Sequence, residues 1–268
     1  HESDDRETLE YLGSLPADVK VLRYEGVFNF SAINNWAVAQ LAESHSHYLF
    51  CNNDIEAMEE GWLERMLELG QQPSIGIVGA KLLYPDRKTI QHGGVCVGAY
   101  GAAEHYGKRL RLPGDPIEAG YAELLQVNHE VAAVTAACML IRAPVFREVG
   151  GFDQSILVGF GDVDLCLRIG AKGYRVLFCP HAELIHHESY TRGTSTVDPH
   201  PADSALYRFK WKALLKAGDP YHSPGLSLYS TNWMLKHPLH CDFDVRRRVV
   251  TRVSDRDEVS FSPAELPA

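Results

Sequence analysis

Three groups of residues in this sequence carry side chains suited to chemistry. The first is Asn52-Asn53-Asp54, which abruptly ends the apolar run Tyr48-Leu-Phe-Cys51. A carboxylate and two amides at the end of a strand offer oxygen donors for a cation and hydrogen-bonding groups for hydroxyls. Asn and Asp are also common turn residues, and the triplet taken alone favours that plainer reading. The second group, Gly161-Asp-Val-Asp164, sets two carboxylates at a helix start, where backbone N–H groups and the helix dipole stabilise negative charge. Asp162 there reads as an N-cap or, if turned into a cleft, as a general base. The third is His186-His187-Glu188. Adjacent imidazoles project to opposite faces of an extended chain, so only one of them readily reaches a given metal or phosphate. His92 and the polar loop around Arg192 add an imidazole and a guanidinium able to grip phosphate oxygens in pairs. With 13 histidines in the chain, any one of them is more simply a packed or surface imidazole.

Several established signatures are missing from the sequence. There is no G-x-G-x-x-G after a strand, no Walker phosphate loop, no G-x-S-x-G elbow and no H-E-x-x-H helix. Dehydrogenase, kinase, serine hydrolase and zincin readings weaken together.

The elements that must position these groups follow from periodicity. Residues 7–15 read as a short amphipathic helix, 19–24 as a strand, and 30–43 as a helix that Ser31 caps. The strand ending at Asn53 follows, then a helix at 61–69 with Trp62, Met66 and Leu69 on one face, and an apolar strand at 74–83. Helices alternating with strands predict an α/β domain with a mostly parallel sheet and helices on both faces. Residues 89–130 are Gly-rich and loop-like, which predicts a substrate-covering insertion. Order returns with the apolar stretch 132–142 and a short helix at 144–149, punctuated by Gly150-Gly-Phe-Asp153. A helix at 161–171, a strand at 174–179 stopped by Pro180, a short strand running into His186 and a basic amphipathic helix at 205–217 complete the ordered part. The last stretch, about 15 residues, reads as a mobile tail.

Composition narrows the function classes. The 268 residues, 45% hydrophobic and 23% charged, suit one large α/β domain or two small ones. A formal charge of -9 argues against a general nucleic-acid binder, and Arg246-Arg-Arg248 is too short a basic cluster to reverse that. Six scattered cysteines without a C-x-x-C pair read as reduced core residues of a cytoplasmic protein. No run approaches the roughly 20 apolar residues of a membrane span. Arg208, Lys210, Lys212 and Lys216 are compatible with a peripheral contact at the inner face of the cytoplasmic membrane, although a solvated helix face is the plainer reading.

Taken in order, these pieces resemble the family 2 glycosyltransferases of the GT-A fold, particularly bacterial rhamnosyltransferase-like members that build surface polysaccharides. The resemblance runs from Ser3 to about Leu228. It passes through Phe28-Asn-Phe-Ser-Ala-Ile-Asn-Asn35, Leu49-Phe-Cys-Asn-Asn-Asp-Ile55, Gln91-His-Gly-Gly-Val95, Thr135-Ala-Ala-Cys-Met-Leu-Ile-Arg142, Gly150-Gly-Phe-Asp153, Asp162-Val-Asp-Leu-Cys-Leu-Arg168, His186-His-Glu-Ser189 and Asp219-Pro-Tyr221. It implies an inverting transfer of a sugar from a UDP- or dTDP-linked donor to a hydroxyl of a saccharide or lipid-linked saccharide. Asp162 would be the general base, with Gly161 standing where the family commonly has Glu. Asp54 and His186, or less readily His187, would hold a divalent cation, Mg or Mn. Asn replaces the usual first Asp of the family's D-x-D motif at Asn52. The donor side would include Asn35, Asn52, Asn53 and Arg192, and the acceptor side Asp164, His92 and Gly151. The family's opening strand, helix and strand have no counterpart here, so the chain reads as an N-terminally truncated domain at 1–235 with a C-terminal extension at 236–268, weak in donor binding by itself. Two other readings stay open: a non-catalytic carbohydrate- or nucleotide-binding module of the same fold, and a metal-dependent hydrolase using the same Asp and His groups.

Overall fold

The apolar run expected as a strand at 74–83 forms β3 (Ile75–Leu83), every residue of which is buried at the centre of the sheet. In a computed structural model the residues described are 3–41, 44–110, 120–187, 198–236, 241–244 and 249–253. The expected tail, Arg192 and the Arg246–Arg248 cluster lie outside them. Along the chain come α1 (Arg6–Gly13), α2 (Phe30–Ala39), β1 (His47–Cys51), β2 (Ile55–Ala57), α3 (Trp62–Gly70), β3, β4 (Ile90–His92), β5 (Val95–Val97), β6 (Ala103–His105) and β7 (His129–Glu130). They are followed by β8 (Cys138–Arg142), α4 (Ala143–Glu148), α5 (Gly161–Ala171), β9 (Arg175–His186), α6 (Pro201–Lys210), α7 (Lys212–Ala217), β10 (Cys241–Asp244) and β11 (Val249–Val253).

The main sheet has the order β1-β8-β3-β9-β2, with β4 also on β3 and β7 also on β9. Of the described pairs only β3–β9 is parallel; β1–β8, β3–β8, β2–β9, β3–β4 and β7–β9 are antiparallel. The expectation of a mostly parallel sheet is therefore corrected to a mixed one. Its basis was sound in part, because β1 and β3, joined through α3, do run in one direction. What periodicity concealed is that β8, from far along the chain, enters antiparallel between them.

Helices cover both faces, as expected. One face packs Met66 and its neighbours on α3 against Ile75, Val78, Leu140 and Leu177. The other packs Val163, Cys166 and Ile169 of α5 with Val145 and Phe146 of α4 against Ile77, Met139 and Phe178. Burying side chains of this size contributes roughly 1.5–3 kcal/mol each. A tight contact sits in the middle: a Cβ on Gly79 would come within 2.4 Å of the Val134 side chain. The absence of that carbon lets the segment before β8 lie directly on β3, and that segment supplies part of the cleft described below.

Several local readings change. Residues 19–24 carry no strand. Asn29, not Ser31, caps α2 by accepting from Ala32 N at 2.9 Å, while Ser31 is buried and donates to Ile156 O at 2.7 Å. The described part of the Gly-rich stretch is built rather than loose: β4 joins the main sheet, β5 and β6 pair antiparallel, and Leu83, Ile90, Cys96, Tyr106 and Leu125 form their own core. Pro180 does not stop β9. The β3–β9 register steps from Ala80↔Cys179 to Lys81↔Glu183, so residues 180–182 bulge and the missing proline N–H is spared a ladder position. The basic helix is two helices, broken at Trp211, and β10 pairs with β11 inside the expected extension.

Candidate functional site

The ends of β1 and β9 are brought together by the turn that joins β1 to β2. Asn52 N donates to Ala137 O at 2.9 Å, anchoring the turn beside the start of β8. Ile55 then pairs with His186, and His187 N donates to Asp54 O at 2.9 Å. This register faces the Asp54 side chain toward His186, with Oδ1 3.2 Å from Nε2. Asn52 Nδ2 lies 3.3 Å from the same nitrogen. On its far side, the ring places Nδ1 2.7 Å from Oε1 of the buried Gln91 on β4. An amide oxygen can only accept, so His186 donates from Nδ1 and turns Nε2 toward Asn52 and Asp54.

Asn52, His186 and Asp162 together line a cleft of about 380 Å³. Asp162 is the second residue of α5, not its cap; that place belongs to Phe160. Its Oδ1 accepts from Val163 N at 2.8 Å and its Oδ2 from Ala136 N at 3.1 Å. The carboxylate is thereby fixed at the positive end of the helix with lone pairs left over. Gly161 leaves little space for a larger residue, since a Cβ there would lie 3.1 Å from Ser31 Oγ.

The wall before Asp162 is held against its own backbone preference. Phe160 has φ +66°, a left-handed conformation that a bulky residue adopts at a cost of about 1–3 kcal/mol. Two contacts hold it there. The buried Asp203 of α6 accepts from the N–H groups of Leu157, Val158 and Gly159 at 2.8–3.0 Å, and Tyr207 stacks on the Phe160 ring at 4.8 Å.

The rest of the cleft comes from residues that the sequence reading did not single out. Glu104 and His105 on β6, Thr135 before β8, and His200 before α6 all line it. Burial would raise the Glu104 carboxyl, but His105 and Lys108 outweigh it and keep the group below its ordinary range. Lys108 Nζ reaches both Glu104 oxygens at 3.0 Å.

The other expected site residues are placed elsewhere. Asp164 is fully buried, paired with Arg168 and Lys210 at 2.7 Å each and accepting from Trp211 Nε1 at 2.9 Å. It docks α6 and α7 onto α5 and does not line the cleft. The same pairing draws Lys210 of the supposed membrane-facing set inward, and Arg208 donates to Gly101 O. Asn35 spends its amide on both backbone groups of Phe152, at 2.8 and 2.9 Å, and Gly151 makes room for it: with φ +73°, a Cβ there would meet Asn35 Oδ1 at 2.4 Å. Both belong to a packing clamp, and neither is among the residues lining the cleft. His92 is buried behind the cleft, its Nδ1 2.7 Å from His105 Nδ1, and desolvation with the neighbouring His105 holds it well below the ordinary imidazole range. Asn53 is exposed in the turn, and His187 faces Glu56 at 3.1 Å, away from His186, as alternation along a strand requires.

The divalent cation implied by the resemblance can be tested against these donors. Asp54 Oδ1 is buried without a hydrogen-bond partner among the described residues, although it lies beside His186 Nε2. An orphaned carboxylate oxygen next to an imidazole nitrogen fits a shared cation. No cluster of three His, Cys, Asp or Glu ligands occurs among the described residues. Two protein ligands suit a cation that keeps most of its sphere for water and substrate phosphate oxygens.

No protein-family model matches the chain. A Sinorhizobium fredii protein, y4gI, is 40% identical over 89% of this chain. The O-antigen biosynthesis protein RfbC of Myxococcus xanthus is 39% identical over 81%. The N-acetylglucosaminyl-diphospho-decaprenol L-rhamnosyltransferase of Mycobacterium tuberculosis is 32% identical over 30% of the chain. The chain spans 26% of the first relative's length and 16% of the second's. Among solved structures, GalNAc-T7 with UDP, GalNAc and Mn²⁺ superposes with a TM-score of 0.56 over 77% of this chain and 39% of its own, at 15% identity. The fold is thus GT-A-like.

Proposed function

We propose that this chain transfers a sugar from a nucleotide-diphosphate donor to a hydroxyl of a saccharide or lipid-linked saccharide, with inversion, in the synthesis of a bacterial surface polysaccharide. The observation that carries the reading is the cleft itself, which Asn52, His186 and Asp162 line together. The GT-A-like fold and the relatives named for O-antigen biosynthesis and rhamnosyl transfer support it.

Asp162 serves as the general base. Its carboxylate is held by two backbone N–H groups, so it meets the acceptor hydroxyl with no reorganisation and takes up the proton as the new bond forms. Such assistance is worth typically 10²–10⁴-fold in rate. A single base and direct attack opposite the departing diphosphate would invert the anomeric carbon. Asp54 and His186 would hold a divalent cation, Mg or Mn, which would supply positive charge to stabilise a departing diphosphate. Asn52 adds an amide for a donor hydroxyl, and Glu104 and His105 offer hydrogen bonds to the sugars. Phe30 and Phe160 give the cleft apolar surface that excludes water from the reacting hydroxyl.

Calorimetric titration of UDP and dTDP, with and without Mn²⁺, combined with a transfer assay on the same preparation, tests the reading. Metal-dependent binding of one nucleotide with inverted product supports it. Absence of metal-dependent binding together with absence of transfer overturns it.

A further inference from the structure

Cys51 ends β1 and Cys138 begins β8, and the two are directly opposite in the antiparallel ladder. The next pair along, Asn52 with Ala137, is closed by the hydrogen bond from Asn52 N to Ala137 O. Antiparallel ladders alternate between hydrogen-bonded and non-hydrogen-bonded pairs, so Cys51 and Cys138 occupy a non-hydrogen-bonded position. There the Cα atoms stand about 4.5 Å apart with side chains on the same face, which lies within the span a disulfide bridges.

The two thiols differ in access. Cys51 is exposed and Cys138 is 1% exposed. The Cys138 thiol hydrogen-bonds to Cys51, lowering the Cys51 pKa and raising its own. The exposed sulfur is therefore the more nucleophilic of the two, and the buried one sits in place to resolve an adduct on it. Cys96, Cys166 and Cys179 are buried, and burial raises each of their thiols.

We propose that Cys51 and Cys138 form an oxidisable dithiol, a disulfide modification site that low-molecular-weight disulfides close and that ties β1 to β8 at the edge of the cleft. The Cys51 thiolate attacks one sulfur of the small disulfide, giving a mixed disulfide and releasing one small thiolate. That thiolate takes the Cys138 proton. The Cys138 sulfur then attacks Cys51 Sγ and expels the second small thiolate, which gains the proton that Cys51 gave up on ionising. One small disulfide is reduced to two thiols, and the protein dithiol is oxidised to one disulfide. The bond joins the residue before Asn52 to the residue after Ala137, both of which line the cleft, so its closure is coupled to the geometry of that wall. The inference stands on strand register and holds whether or not the chain transfers sugars.

The test is incubation of the folded chain with oxidised glutathione, followed by intact mass measurement and non-reduced peptide mapping. Loss of two hydrogens and a single linked peptide pair containing Cys51 and Cys138 is the expected result, reversed by dithiothreitol. Cys138→Ala should instead retain a glutathione adduct on Cys51, and Cys51→Ser should lose both adduct and link. A lasting glutathione adduct on Cys51 in the unsubstituted chain, or no modification of Cys51 at all, would overturn the proposal.

Discussion

Gln91 Oε1 accepts the Nδ1 proton of His186 at 2.7 Å, and this one bond decides which imidazole nitrogen looks toward Asp54. Outer partners of a ligating histidine typically change metal affinity by 10–100-fold when removed. Gln91→Leu should weaken Mn²⁺ binding in the presence of UDP by roughly that factor, whereas Gln91→Glu, which retains an acceptor, should stay near the parent. Calorimetry reads the affinity, and two-bond ¹H–¹⁵N correlation reads the tautomer of His186. Equal affinity in the parent and Gln91→Leu would remove the amide from the cation site.

Asp162→Asn keeps the size and one of the two backbone contacts, since an amide nitrogen cannot accept from an N–H, and it abolishes the base. Transfer should fall by about 10²–10⁴-fold while nucleotide affinity changes little. Single-turnover rates beside calorimetry separate the two, and a fully active variant would reassign the base.

Asp164→Ala leaves Arg168 and Lys210 without their buried partner. Breaking such a pair costs about 3–5 kcal/mol. Urea unfolding measures the loss. A variant of unchanged stability but lost transfer would return Asp164 to the acceptor side.

Gly151→Ala meets both a left-handed backbone and the Asn35 amide. A loss of about 1–3 kcal/mol is expected from strain alone, and a thermal melt checks it. An unchanged midpoint would show that the clamp yields.

Asp153 gives a pH dependence. Its bond to Lys210 at 2.7 Å, with help from Ser155, lowers the carboxyl from 3.8 to about 2. Because the folded value is the lower one, the unfolded chain binds the proton more readily. The contribution is present above pH 3.8 and is lost as pH falls toward 2. Asp153→Asn should flatten the acid limb of the stability curve over that window; an identical acid limb would show that the bond contributes nothing.

The sequence was most readable where a single segment holds its own information. The strand expected to end at Asn53, which ends at Cys51 in the fold, announces itself because an apolar run stops at three polar residues, and α5 was anticipated at 161–171, the bounds it has. Opposite projection separated His186 from His187 correctly. What was hidden depends on partners distant along the chain. Asp164 looks like any first-turn acid until Lys210 and Trp211 arrive from 46 and 47 residues away. Glu104 and His105 lie on a three-residue strand within Gly-rich text, too short for any period to show. Asn35 resembles a ligand-binding amide, and only the Phe152 backbone reveals it as a clamp.

The bulge at Pro180 has a consequence for the histidine pair. Before it, Val176 and Phe178 face one core while Leu177 and Cys179 face the other. After it, Ala182 and Leu184 have joined the side of Leu177 and Cys179, so odd and even positions have exchanged places. β9 is in effect read in two frames, with residues 180–182 as the shift between them and the Lys81–Glu183 ion pair marking where the second frame begins. Because one residue of slip turns every side chain to the opposite face, deleting a single residue from that bulge would offer His187 to Asp54 in place of His186. The choice of histidine is therefore set several residues upstream, by a proline that takes no part in the chemistry.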